Sequence, residues 1–189
     1  MRSLLLLLVV LAGCGRTEPH ADALRAETLC QAVMGVPQVK NLAAWPFGNC
    51  LDVTYSPGAE VHAQGLHAAL VEWAGAPGTW LCFNPPQPGA PDQARAVHVE
   101  VGVTTPTTVS EVTVRHDLHG ALLGAQVIIS PGQTLSAGGY LFTAGQVLGF
   151  GRTDGVASVL DATTLDAARD AKLTEADLQS VAAVYPACR

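Results

Sequence analysis

Valine stands at every second position from Val97 to Val103, with His98, Glu100 and Gly102 between. A two-residue period puts all four valines on one side of an extended chain, which predicts a strand whose apolar face must be covered. A cover lies upstream. From Glu60 to Ala74, residues Leu66, Ala69, Leu70 and Trp73 recur at i, i+3, i+4 and i+7, with Glu60, Gln64, His67 and Glu72 mostly off that stripe. That spacing predicts an amphipathic helix. Before it, Leu51, Val53 and Tyr55 alternate as a strand until Pro57-Gly58 breaks the pattern. After it, Thr79 to Phe83 predicts a second strand, closed by Asn84-Pro85-Pro86. Val109 to Ser130 predicts a hairpin turning near Asp117 to Gly120, with a last strand at Ala125 to Ile129.

The first sixteen residues, MRSLLLLLVVLAGCGR, join a basic start to an apolar run shorter than the roughly 20 residues that span a bilayer. This is the pattern of a secretion signal. Its Leu11-Ala12-Gly13-Cys14 end resembles the bacterial lipobox. That resemblance implies a signal peptide of residues 1–13, cleavage before Cys14, and acylation of Cys14 with palmitate-type chains that anchor the protein to a membrane. Gly15 at the next position, in place of Asp, implies the outer membrane of a bacterial envelope. Residues 14–25 form the lipidated Cys and a polar tether, and 26–44 an N-terminal helical segment centred on Glu27 to Met34, ended by Gly35 and Pro37. The formal charge of −6 becomes −7 once Arg2 is removed. An acidic surface of this size gives no support for nucleic acid as a partner.

Residues Phe142 to Arg152, FTAGQVLGFGR, keep the spacing of the H-E-x-x-H-x-x-G-x-x-H zinc helix of metzincin proteases. In the parent pattern two His one turn apart face a metal, Glu is the general base, and Gly turns the chain toward a third His. Only Gly149 survives. Phe142 and Gln146 occupy the first two ligand positions, Thr143 the base position and Arg152 the third ligand position. Phe has no lone pair and Arg carries a fixed positive charge, so a tetrahedral nitrogen site is not available. Downstream, Ser158-Val159-Leu160 falls where matrixin-type metzincins carry their Met-turn, with Leu160 replacing Met. Leu173 to Pro186 resembles the closing helix of matrixins. There Thr174 is an N-cap with Asp177 three residues on, and Leu178, Val181, Ala182 and Tyr185 form an apolar stripe.

The chain therefore resembles a degenerate matrixin-like metzincin over roughly Trp45 to Pro186. The resemblance implies an α+β, zincin-like domain at 45–189: a mixed twisted sheet of about five strands with three main helices. Trp45, Cys50, Tyr55-Ser56, Trp73 and Cys82 are similar in order to bacterial matrixin-like lipoproteins. In those, a Cys before the first strand pairs with one after the first helix. The likeness implies a Cys50–Cys82 disulfide, leaving Cys30 to pair with Cys188 in an oxidising compartment.

Other constellations have plainer readings. His116-Asp117-Leu118-His119 is dense in potential ligands, but its place in a hairpin turn explains Asp117 and Gly120 through turn chemistry. His62 and His67, five apart, share no helix face. Gly149-Phe150-Gly151 lacks the Lys and context of a phosphate loop. Ser158 has no recognisable base partner. The resulting expectation is a lipid-anchored pseudo-metalloprotease domain that is not an enzyme and carries no metal or cofactor. It would bind a peptide or envelope protein, with Phe142 packed inward and Arg152 left to find an acidic partner. The alternatives are an active zinc metalloendopeptidase with atypical ligands, such as His98, His116 and His119, or a purely structural envelope lipoprotein.

Overall fold

A computed structural model describes residues 42–105, 108–153, 158–161 and 171–187. The signal and tether, Cys14, Cys30, Cys188 and the helix expected at Glu27 to Met34 lie outside the described residues. The fold is α+β. Five strands, β1 (Asp52–Tyr55), β2 (Gln87–Pro88), β3 (Ala96–Val101), β4 (Ser110–His116) and β5 (Leu122–Ile129), form one sheet in the order β2-β1-β3-β5-β4. Strands β1, β2, β3 and β5 run parallel, and β4 closes the far edge antiparallel to β5. Helices α1 (Glu60–Ala74), α2 (Ala137–Val147) and α3 (Glu175–Val184) complete the described elements. None is long and apolar enough to cross a membrane.

The predicted stripe of α1 is what it buries: Leu66, Ala69, Leu70 and Trp73, joined by Ala63. These side chains meet Val53, Val97, Val99, Val127 and Ile129 from one face of the sheet in a single core. Helix α2 is apolar nearly all round, as befits a helix enclosed on most sides. Ser136 caps its start by accepting from the Gly139 amide. Gly145 brings it close to its neighbours, because a Cβ there would lie 2.8 Å from Leu160 and 2.9 Å from Trp73. The last carbonyls of a helix have no partner within it. Here Trp45 Nε1 donates to Val147 O at 3.0 Å, and the Tyr185 hydroxyl donates to Leu148 O. Burial pushes the Tyr185 phenol above its ordinary range, so it stays a donor.

Two strand expectations are corrected. Thr79 to Phe83 forms no strand; Phe83 makes an isolated bridge to Leu51, and Thr79 one to Pro186. The second strand is instead Gln87–Pro88 at the sheet edge, where a proline costs no ladder bond. Strand β3 stops at Val101, and Val103 is 91% exposed because no neighbouring strand extends that far. Cys50 and Cys82 are joined, with Cα atoms 4.6 Å apart across a sequence separation of 32. Closing a loop of that length stabilises by about 3–4 kcal/mol in the chain-entropy treatment.

Candidate functional site

The site is built where α2 passes beneath the edge strand β4. Phe142 and Gln146, four residues apart, share one helical face. Phe142 is buried, Gln146 half-buried and Arg152 exposed. The guanidinium carbon of Arg152 lies 5.6 Å from the centre of the Phe142 ring, a cation–π separation. Among the described residues, the side chain that meets the Arg152 guanidinium is this aromatic ring, and no ion pair of Arg152 is seen there. Thr143 is buried, and its hydroxyl donates to Gly139 O at 2.8 Å while lying 3.2 Å from Ser110 Oγ on β4. A hydroxyl committed to the preceding turn is a helix-to-strand tie, not a base.

Gly149 ends this frame at φ +82, a left-handed conformation that costs glycine nothing. Its carbonyl accepts from Leu42 N at 2.8 Å, so the chain entering the domain is held against the turn. Between that segment, the helix end and the strand lies a cavity of about 310 Å³ lined by Val112, Val114, Gln146, Phe150 and Arg152. Leu160 is fully buried and packs against Gly145. Its turn is held by Asp177: Ser158 Oγ donates to one carboxylate oxygen, and Val159 N to the other at 3.1 Å. Ser158 is therefore structural. The residues at the positions that the resemblance assigns to a metal do not fit zinc, because a fixed cation occupies one position and an aromatic hydrocarbon another.

The other histidines are scattered. His116 and His119 are exposed, and Asp117 between them accepts from the Ala121 and His119 amides. Those two amides, Ala121 first, hold its carboxyl below the ordinary range. His62 Nδ1 meets the Tyr140 hydroxyl at 3.0 Å. Among the described residues, no three His, Cys, Asp or Glu side chains gather in a group that could hold a metal.

His98 is the residue whose setting the sequence concealed. Alternation would turn it toward solvent, yet it is fully buried. Its Nδ1 lies 2.9 Å from Thr54 Oγ1 and its Nε2 3.0 Å from Ser56 Oγ. The usable signal was register, since Thr54 faces His98 across β1 and β3. Burial lowers its pKa from the ordinary 6.5, against weaker upward pulls from Glu100 and Asp92. A depressed folded value means the unfolded chain takes the proton first. Stability should be fully present above pH 6.5 and fall as pH drops through the folded value. Urea midpoints followed from neutral to acid pH should show this fall, and His98→Gln should flatten it. An unchanged acid slope in the variant would assign the fall to other groups.

No family model matches this sequence, and no curated protein matches it. Among solved structures, the chain is similar to high choriolytic enzyme 1, a hatching-enzyme zinc protease from Oryzias latipes (medaka). The likeness has a TM-score of 0.34 and 16% identity, over 58% of this chain and 50% of that one. This chain thus spans about half the length of that enzyme's chain. The likeness is partial, and nothing about the chemistry of this site is drawn from it.

Proposed function

We propose that this protein is a lipid-anchored, non-catalytic metzincin-like domain of the bacterial envelope, a pseudo-metalloprotease that binds a peptide or protein through what remains of a substrate cleft. The observation that carries this reading is the contact between Phe142 and Arg152. At the spacing of the first and third ligand positions, two side chains that cannot bind zinc touch each other. The neighbouring Thr143 hydroxyl is spent on its own helix. A water-activating base would need a free lone pair and a pKa near the working pH, which a threonine lacks. The cavity under β4 keeps an apolar wall and two polar groups, the composition suited to holding a ligand.

The test is metal content paired with proteolysis on the mature protein. We expect folding without stoichiometric zinc, and no cleavage of generic protein substrates with or without added metal. One tightly held zinc per chain, or proteolysis abolished by a chelator and restored by zinc, would sink the reading.

A further inference from the structure

The described arginines differ in what their guanidinium groups meet. Arg95 donates to Pro46 O at 2.9 Å and to Asn49 O at 2.8 Å, and Arg115 donates to Gln93 O with the Asp92 carboxylate 3.6 Å away. Among the described residues, no hydrogen bond or ion pair of Arg152 is seen. The Phe142 ring, 5.6 Å from its guanidinium carbon, holds the cation in place but accepts from none of its N–H groups in the plane of the fork. That fork belongs to the wall of the cavity beneath β4, where Val112, Val114 and Phe150 supply apolar surface and Gln146 a second polar group. Among the described residues none that lines it is acidic, so in a chain of formal charge −6 the charge on this wall is positive. Two other cavities make no such demand for a partner. In one of about 350 Å³ the hydroxyls meet each other, Thr104 with Ser130 and Thr105 with Thr108. In one of about 330 Å³ between α1 and α2, the Tyr140 hydroxyl is engaged by His62 Nδ1 at 3.0 Å.

We propose that the cavity beneath β4 binds the C-terminal end of a peptide whose last residue is apolar, with its carboxylate on the Arg152 guanidinium and its side chain against Val112, Val114 and Phe150. The proposal rests on the reading of this cavity as the ligand cleft of a non-catalytic domain, and names what the cleft takes. Charge complementarity selects the anion. A guanidinium meets a carboxylate through paired N–H donors at its edge, and a ring against its face leaves that edge open. Size selects the end of a chain over its middle. At about 310 Å³ the cavity lies at the small end of ligand pockets and holds roughly one or two residues. A terminal residue carries a carboxylate and an apolar side chain on one Cα, so both reach their partners within that space. An Asp or Glu in mid-chain brings the carboxylate without the apolar group, and needs an exit for the chain on both sides. Gln146, half-buried on the same wall, has amide donors for a second carboxylate oxygen or for the last peptide carbonyl.

The experiment is fluorescence anisotropy on the full mature protein with pools of short peptides labelled at the N-terminus. One pool ends in Leu, Val or Phe as free acids, and a second has the same sequences as C-terminal amides. A third is amidated and carries Asp next to the last residue, and a fourth consists of free acids ending in Ser. We expect the apolar free acids to bind, the other pools to bind at least about tenfold more weakly, and Arg152→Gln to abolish the difference between acid and amide. Acids and amides that bind equally well, with no effect of Arg152→Gln, overturn the carboxylate while the cleft itself stands. An amidated Asp pool that matches the free acids puts the carboxylate on a side chain and overturns the chain end. Ser-ended acids that match the apolar ones remove the apolar wall from recognition and overturn the inference too. So does binding by none of the pools, and zinc content and proteolysis then still decide the non-catalytic reading by themselves.

Discussion

Gly149→Ala should be among the most damaging single substitutions in this chain, with a loss on the order of 4 kcal/mol in unfolding free energy. Two effects add. The residue sits at φ +82, where an L side chain is strained by about 1–2 kcal/mol. A Cβ would also lie 2.0 Å from the carbonyl oxygen of Ala43 and 2.8 Å from its carbon. Neither atom belongs to a flexible side chain, so the entering segment itself must move and its Leu42–Gly149 hydrogen bond must break. Gly58→Ala is the control, because Gly58 has φ +88 but nothing within 4 Å of a Cβ. It should show only the conformational part, about 1 kcal/mol. Equal urea-midpoint shifts for the two variants would remove the steric argument.

Asp177→Ala should cost about 3–5 kcal/mol, because several donors lose a buried acceptor at about 1–3 kcal/mol each. The carboxylate is fully buried and accepts from four groups: Ser158 Oγ, Val159 N, Thr174 N and Thr174 Oγ1. It thereby closes the capping box of α3 and pins the Leu160 turn against that helix. Alanine would leave the hydroxyl and amide of that turn without acceptors. Thr174→Ala separates the two roles, since it removes the cap and leaves the turn tied, for about 1 kcal/mol. Thermal unfolding of both variants measures the difference. If Asp177→Ala is no worse than Thr174→Ala, the tie to Ser158 contributes nothing.

Both residues were visible in the sequence, for reasons that differed from their full roles. Asp177 was legible as a helix cap because Thr174 stands three residues before it, and capping is a local rule. That the same carboxylate holds residues 158 and 159 depends on a loop closing from another part of the chain. Gly149 was legible through its place in an eleven-residue spacing. The carbonyl that forbids a Cβ there belongs to Ala43, more than a hundred positions earlier. Arg152 shows the same limit. The sequence marks a cation, but that its guanidinium lies over the Phe142 ring is set by where α2 ends.

Local periodicity and turn chemistry determined by themselves the helix Glu60–Ala74, the cap at Thr174 and the hairpin about Asp117, because each is fixed by neighbours within a few positions. That the stretch from Phe142 to Arg152 holds none of the ligands or the base of the zinc-helix pattern it resembles is likewise plain in the order of residues. Only the tertiary structure decided the rest. It cancelled the strand at Thr79 to Phe83, which has an apolar composition but only isolated bridges to Leu51 and Pro186. It also buried His98 on the face opposite the valine core, where Thr54 Oγ1 and Ser56 Oγ meet its ring, so the two-residue rhythm of the sequence no longer separates inside from outside.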